Sequence, residues 1–248
     1  MDLTDRTILV TGASSGIGRA TSILLGELGA KLILVGRNPA GLRETSRQLG
    51  GAAHRLEPFD LAQAGTIPDW VKDLAQQEGP LAGLVHCAGL HLVRPLRFLD
   101  LEKAEQLMRV NFLAAMQLAK GFRQKGVRAS SGSIVFLSSV MGSVGQPGVS
   151  VYCASKGALM ALARSLALEL ASESIRVNCV APGIVKTEMT AQLESSLTEE
   201  QFTAVKNLHP LGLGHAADVA NAVAFLLADT GRWITGTTLV VDGGYTAH

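Results

Sequence analysis

Short apolar runs alternate with stretches of helical periodicity along nearly the whole chain. Thr7-Ile8-Leu9-Val10 reads as a first strand and Ile17 to Leu28 as the helix that follows it. Lys31 to Val35 repeats the strand pattern, and Pro39, whose ring suits a first helical turn, opens a helix to about Leu49. A third strand is expected over Ala53 to Glu57, then a helix through Trp70 to Gln77. Leu81 to His86 reads as a fully buried strand, Ser133 to Leu137 and Arg176 to Val180 as two more, and Thr238 to Val241 as the last. Two long helices, Leu101 to Gln124 and Tyr152 to Leu170, precede the strands at Ser133 and Arg176. Strands this continuously apolar need cover on both faces, so the pattern predicts an α/β domain built on a doubly wound parallel sheet. No Pro/Gly/Ser-rich linker divides residues 1–248, which predicts a single domain. Only Thr187 to Leu213 breaks the rhythm, rich in Thr, Glu, Gln and Ser. It reads as a substrate lid over 187–213, with a surface helical insertion as the plainer alternative.

Composition narrows the class of partner. With 47% apolar and 17% charged residues, the chain has enough apolar surface for one large core. Its 22 basic and 21 acidic side chains give a net charge of +1, and neither sign forms a block. That argues against a nucleic-acid footprint or an anionic membrane partner. Arg123, Lys125 and Arg128 are the densest basic run and read as a solvated helix end. Cys87, Cys153 and Cys179 form no CxxC pair, so neither a disulfide framework nor a thiolate metal site is expected. The start, Met1-Asp2-Leu3-Thr4-Asp5-Arg6, is too polar for a signal peptide, and no apolar run approaches the ~20 residues that cross a bilayer. A soluble, cytoplasmic protein is expected.

Two local patterns carry chemistry. Between the first strand and helix stands Thr11-Gly12-Ala13-Ser14-Ser15-Gly16-Ile17-Gly18. Gly12 permits a tight turn, Gly16 lets backbone approach a pyrophosphate, and Gly18 lets the helix pack on the sheet. The free N–H groups of the helix start then favour an anion. The spacing differs from GxGxxG and lacks the GKS/T ending of an ATPase loop, yet its place in a first strand–loop–helix unit points to a dinucleotide. After the second strand, where a carboxylate would select NAD, the chain has Gly36-Arg37-Asn38. Arg37 is a planar cationic donor suited to a 2′-phosphate, which favours NADP, with NAD as the alternative. Asp60-Leu61 follows the third strand and can meet the adenine edge, or Asp60 can simply cap a helix. Cys87, Ala88 and Gly89 end the fourth strand with side chains small enough to let a cofactor pass close. The second pattern is Tyr152 with Lys156 four residues later, on one helix face. A fixed cation beside a phenol favours the phenolate, which suits proton exchange with a carbonyl or alcohol.

Together these residues resemble the short-chain dehydrogenase/reductase family, across essentially the whole chain. The TGxxxGxG turn at Thr11 to Gly18, the Tyr-x-x-x-Lys pair, and Ser139, which precedes Tyr152 by 13 residues, all fit its pattern. Asn111 matches the family's structural and proton-relay asparagine, and Pro182-Gly183-Ile184-Val185-Lys186-Thr187 its nicotinamide-side loop. The resemblance implies a Rossmann-like fold of about seven strands flanked by helices. It further implies hydride transfer between the nicotinamide and a carbonyl carbon, with no metal. Ser139 would polarise the carbonyl oxygen, Tyr152 deliver its proton, Lys156 lower the tyrosine pKa and hold the ribose hydroxyls, and Asn111 place water in a proton path. Pro182, Gly183, Val185 and Thr187 would contact the cofactor. His91, Val140, Met141, Gln146, Val149, Ile184, Met189 and Leu193 would join Ser139 and Tyr152 around the substrate. His209, beside Pro210, reads as a loop residue rather than a catalytic base.

The nearest subgroup resembles the 3-oxoacyl-carrier-protein reductases, through Ala220 to Leu227 and Trp233-Ile234-Thr235-Gly236. Those enzymes present arginines to an acidic carrier protein where this chain has Ser130 and Glu173, so an acyl-carrier partner is doubtful. His86-Cys87 replaces two asparagines, and Ser15 a basic residue of many NADP-dependent relatives. A small ketone or secondary alcohol, including a sugar or cyclic compound, fits at least as well as an acyl thioester. By resemblance the two long helices, and the region from Val219 to Val241, would make the two contacts of a homotetramer. A non-catalytic NADP-binding regulatory protein is the competing class, and the complete Ser139–Tyr152–Lys156–Asn111 set speaks against it.

Overall fold

The apolar runs all become strands of one sheet. In the computed structural model, which describes residues 1–49, 54–188, 190–191 and 198–247, the chain begins β1 (Thr7–Thr11), α1 (Gly16–Glu27), β2 (Lys31–Gly36), α2 (Pro39–Gln48) and β3 (Arg55–Pro58). It continues with α3 (Ile67–Glu78), β4 (Leu81–His86), α4 (Leu101–Met108), α5 (Ala114–Phe122), β5 (Arg128–Leu137) and α6 (Ser150–Glu169). Then come β6 (Ile175–Pro182), β7 (Val185–Lys186), α7 (Glu199–Asn207), β8 (Gly214–His215), α8 (Ala216–Leu227) and β9 (Thr238–Val241). Seven strands pair in the order β3-β2-β1-β4-β5-β6-β9, every neighbour parallel. This is a single Rossmann-like domain. The winding direction reverses between β1 and β4, which opens a crevice at their carboxyl ends.

Alternation along each strand divides the core into two layers. Leu9, Ile33, Leu84, Ile134 and Phe136 face one side, against Val71 and Leu74 of α3, Leu118 of α5 and Leu159 and Ala163 of α6. Ile8, Val10, Leu34, Val85 and Val135 face the other, against Leu25 of α1, Leu42 of α2 and Val219 and Val223 of α8. Because both faces are covered, β1 shows five consecutive buried residues rather than an in–out pattern.

Two sequence expectations need correction. The helix read as continuous from Leu101 to Gln124 ends at Phe122 and is interrupted by a π-helical turn at Arg109–Leu113 that holds Asn111. A wider turn of this kind disturbs the backbone hydrogen-bond ladder without breaking the apolar stripe, so periodicity does not reveal it. Arg123 and Arg128 are not simply solvated, because both meet the Glu173 carboxylate, at 2.5 and 3.6 Å. His209 lies in the bend after α7, as its reading as a loop residue expects, and is buried there, at 3% exposure. Within 187–213 the described residues include α7, a helix opened by a Thr198–Gln201 capping box; Met189 and Leu193 lie outside the described residues.

Candidate active site

The crevice is a cleft of about 800 Å³ lined from the carboxyl ends of β1, β2, β3, β4, β5 and β6. One end contains Gly12, Ser14, Ser15, Gly16, Ile17, Gly18, Arg37, Asn38, Asp60 and Leu61, with Cys87, Ala88 and Gly89 on the floor. Gly12 has φ +68, and a Cβ there would stand 2.8 Å from the Ala88 nitrogen. A Cβ on Gly18 would collide with the Gly12 carbonyl oxygen. Neither position tolerates a side chain, so the turn must be glycine at both. Ser15, at the N-cap of α1, makes no side-chain cap, which leaves the helix amides open. One of them already holds an anion, since the Gly16 N–H donates to a Glu188 carboxylate oxygen at 3.0 Å. Arg19 lies 3.5 Å from the other oxygen of that carboxylate. The chain's own carboxylate thus stands where a pyrophosphate would bind, and the cradle fits a dinucleotide. Asn38 is partly spent, its Oδ1 capping α2 by accepting from Ala40 and Gly41 N–H at 3.1 Å each.

At the other end β5 delivers Ser139 and α6 delivers Tyr152 and Lys156. Ser139 sits just past the end of β5, where its oxygen accepts from Met141 N–H at 3.2 Å and fixes a tight turn. Adjacent Ser138 is structural, donating to the Lys156 carbonyl at 2.8 Å. Burial raises the Tyr152 pKa, and hydrogen bonding with Ser139 works against that rise. Lys156 is 4% exposed, and its Nζ donates to the Leu137 carbonyl at 2.7 Å. Burial brings its pKa down to about 8. The ammonium lies 5.6 Å from the centre of the Tyr152 ring. Direct lowering of the phenol pKa by Lys156, expected from the sequence, is therefore not what this geometry displays; burial dominates the phenol.

Asn111 lines no part of the cleft but braces it from behind. Its Oδ1 accepts from Leu90 N–H at 2.7 Å, while its Nδ2 donates to the Leu90 carbonyl at 3.0 Å and to Ser155 Oγ at 3.1 Å. The side chain is fully committed, tying the loop after β4 to α6. Gly89 lies close by, and a Cβ there would stand at ordinary contact distance, 3.4 Å from Asn111 Oδ1 and 3.5 Å from Lys156 Nζ.

Around Ser139 and Tyr152 stand His91, Val140, Met141, Gln146, Val149 and Ile184, with Pro182, Gly183, Val185 and Thr187 along the loop leaving β6. The His91 ring meets the Tyr152 ring edge-on, centroids 4.7 Å apart. Desolvation, with the Lys156 charge second, lowers the His91 pKa and keeps the ring neutral. Every residue nominated for cofactor or substrate contact and described in the structure lies on this one cleft.

Comparison with known proteins decides the family. A family model described as Enoyl-(Acyl carrier protein) reductase matches residues 12–246. A 3-oxoacyl-[acyl-carrier-protein] reductase of Bos taurus is 37% identical over 241 residues, covering 97% of this chain and 98% of its own. The chain belongs to the short-chain dehydrogenase/reductase family. Among solved members, a short-chain type dehydrogenase/reductase from Mycobacterium ulcerans superposes with a TM-score of 0.92 at 32% identity, covering 100% of this chain and 92% of that one. A Beutenbergia cavernae chain provisionally assigned as an NAD(P)-dependent gluconate 5-dehydrogenase, with NADP bound at low occupancy, has a TM-score of 0.92 at 31% identity, covering 100% and 99%. This short-chain dehydrogenase/reductase is thus an NAD(P)-dependent oxidoreductase acting on carbonyl or alcohol groups, closely related to the 3-oxoacyl-carrier-protein reductases.

Where it departs from family pattern, the structure supplies substitutes. His86 Nδ1 shares a 2.9 Å hydrogen bond with Thr11 Oγ1, which also accepts from Ala88 N–H at 3.2 Å. Burial and then the Lys156 charge push the imidazole down to about 3, so it stays neutral. Burial pushes the Cys87 thiol up to about 12, which makes it space-filling rather than nucleophilic. Several cleft residues were not nominated individually, namely Phe59, Glu188, Val205, Leu208, His209 and Tyr245, although Glu188, Val205, Leu208 and His209 fall within the 187–213 segment read as a substrate lid. The first two adjoin nominated residues, so adjacency was an available signal. The last four come from α7, the turn after it and the C-terminal tail, and no spacing rule links them to Tyr152.

Proposed function

We propose that this enzyme is an NADP(H)-dependent carbonyl reductase, reversible toward the secondary alcohol, whose substrate is a ketone or a 3-oxoacyl thioester. The observation that carries the reading is the convergence of Ser139, Tyr152 and buried Lys156 at one end of a cleft whose other end already seats a carboxylate on Gly16. Gly12, Gly16 and Gly18 would admit the pyrophosphate, Arg37 with Ser14 the 2′-phosphate, and Thr187 and Lys156 the nicotinamide half. When bound, the nicotinamide supplies the hydride in reduction and accepts it in oxidation.

The chain's own work is placement and proton delivery. Ser139, its oxygen fixed by the Met141 amide, turns its O–H toward the carbonyl oxygen and draws electron density onto it. Tyr152 shares that oxygen and gives up its phenolic proton as the oxygen gains charge; in the reverse direction the phenolate takes the alcohol proton. Lys156, held by the Leu137 carbonyl, fixes a positive charge behind the phenol. Asn111 holds Leu90 and α6 in register, so that the elements bearing these groups keep their spacing.

Two finer features belong to the same proposal. A homotetramer is supported by exposed apolar residues on both faces expected to pair: Leu101, Met116 and Leu168 on the long helices, Trp233 at 96% exposure and Val240 near β9. An acyl-carrier partner is disfavoured, because Glu173 pairs with both Arg123 and Arg128 and offsets one of their two charges on the surface where such a partner would need free cations. NAD-linked oxidation of a small alcohol or sugar is the alternative within the same site.

The test is NADPH or NADH oxidation, followed by absorbance, against an acetoacetyl thioester, diketones, cyclic ketones and keto sugars. Turnover of a ketone or thioester with NADPH preferred is the expected result. Turnover of keto sugars alone, with NADH preferred, would replace this reading by the sugar dehydrogenase.

A further inference from the structure

The C-terminal tail enters the substrate end of the cleft by a built connection. Tyr245 stacks on His209, with centroids 4.8 Å apart and planes 29° apart, and both rings line the cleft. His209 is held on two sides. The Ile184 N–H donates to its Nε2 at 3.2 Å, so the ring proton sits on Nδ1, which donates to the Val205 carbonyl at 3.1 Å. Ile184 belongs to the loop leaving β6, and His209 therefore fastens α7 and the tail to the strand end beside Ser139. The tail is locked as well: Asp242 accepts from Gly244 N–H, Thr246 N–H and Thr246 Oγ, at 2.9, 2.8 and 2.7 Å. Leu211 N–H donates to the Gly243 carbonyl at 3.0 Å. Tyr245 is thus a fixed wall and not a trailing end.

Charge at this end of the cleft is equally informative. Among the described residues, the charged side chains lining the cleft are Arg37 and Asp60 at the adenine end, Glu188 at Gly16, and Lys156. Lys156 is committed to the Leu137 carbonyl. By sequence, Met189 and residues 192–197 contain no Lys, Arg or His, and include Glu194. The substrate end offers neutral His91 and Gln146 for hydrogen bonding, and the same cleft is lined by apolar Val205 and Leu208 and by the Tyr245 ring. A carboxylate or phosphate brought here would lose its water with no uncommitted cation to meet it among the described residues.

We infer that Tyr245, seated on His209, is a specificity-determining residue, and that the site takes an uncharged ketone whose ring or branched apolar body lies against it. This rests on the carbonyl-reductase reading above, and separates the enzyme from reductases of sugar acids. The experiment compares two cyclohexanones that carry, opposite the carbonyl, a methyl group or a carboxylate, with an acetoacetyl thioester as reference and NADPH as reductant. The expected kcat/KM for the methyl compound is at least about tenfold above that for the carboxylate. Tyr245→Ala should raise KM for the methyl compound by about tenfold and lower kcat much less, while Tyr245→Phe restores the wild-type KM. NADPH titration of each variant serves as the control for folding. Equal turnover of the two cyclohexanones, or an unchanged KM in Tyr245→Ala, overturns the inference. Turnover of the thioester with neither cyclohexanone accepted overturns it too and leaves the carbonyl-reductase reading standing. No oxidation of NADPH by any of the three overturns both.

Discussion

Tyr152 and Lys156 are four residues apart on one helix face, and that spacing alone makes them neighbours. What spacing does not give is where each side chain points. Lys156 turns to the Leu137 carbonyl and lies behind the phenol, while Ser139 approaches it from β5. Tyr152→Phe removes the transferable proton and keeps the ring, so turnover should fall about 10²–10⁴-fold with NADPH affinity nearly unchanged. A smaller loss in single-turnover kinetics would remove the tyrosine from the proton step. Lys156 carries its own pH signature. Because burial lowers its pKa to about 8, it is cationic below that pH and neutral above it. The kcat/KM for ketone reduction should therefore fall as pH rises through about 8; a flat profile to pH 10 would contradict a role for the charge. Arg37 belongs at this scale too, since Arg37→Ala should weaken NADPH binding far more than NADH binding in fluorescence titrations. His209 and Tyr245 were illegible from sequence because their stacking joins residues 36 positions apart through a tail fold that no local pattern encodes.

At the scale of elements, strand positions were legible because buried parallel strands are apolar without interruption. Leu81–His86 and Thr238–Val241 emerge with the bounds that their sequence suggests. The π-helical turn at Arg109–Leu113 was not, since its register change leaves the apolar stripe intact. That turn presents Asn111 to Leu90, and Asn111→Leu would leave the Leu90 N–H and carbonyl without those partners. Stability in urea should drop by about 1–3 kcal/mol for each group left buried and unpaired. An unchanged midpoint would mean the loop re-pairs elsewhere. The start of α1 makes a second prediction. Glu188 lends its carboxylate to Gly16 and must yield that amide before a pyrophosphate can use it. Glu188→Gln should tighten NADPH binding by about two- to fivefold, the range expected for one charge at a helix terminus. Weaker binding would show instead that Glu188 supports the cofactor.

For the whole molecule, the order β3-β2-β1-β4-β5-β6-β9 explains why residues from six strand ends meet in one cleft. The reversal between β1 and β4 places the glycine turn beside the small residues Ala88 and Gly89. The carboxyl ends of β5 and β6 then bring Ser139 and Ile184 to the same cleft as Tyr152. Repetition of strand and helix made this architecture readable from sequence, and the ordered motifs located most of the cleft. Surface charge was less readable. Glu173 looked like an isolated reversal of a carrier-binding arginine, yet it sits between Arg123 and Arg128 and pairs with both. The central claim concerns transfer of hydride to a carbonyl with Tyr152 supplying the proton, and isotope transfer tests it most directly. NADPH dideuterated at nicotinamide C4 would be incubated with a ketone and either wild-type enzyme or Tyr152→Phe, and the product alcohol analysed by mass spectrometry. The account predicts a single deuterium on the carbinol carbon with wild type and almost no alcohol with the variant. Alcohol without deuterium, or equal deuterated alcohol from both proteins, would contradict it.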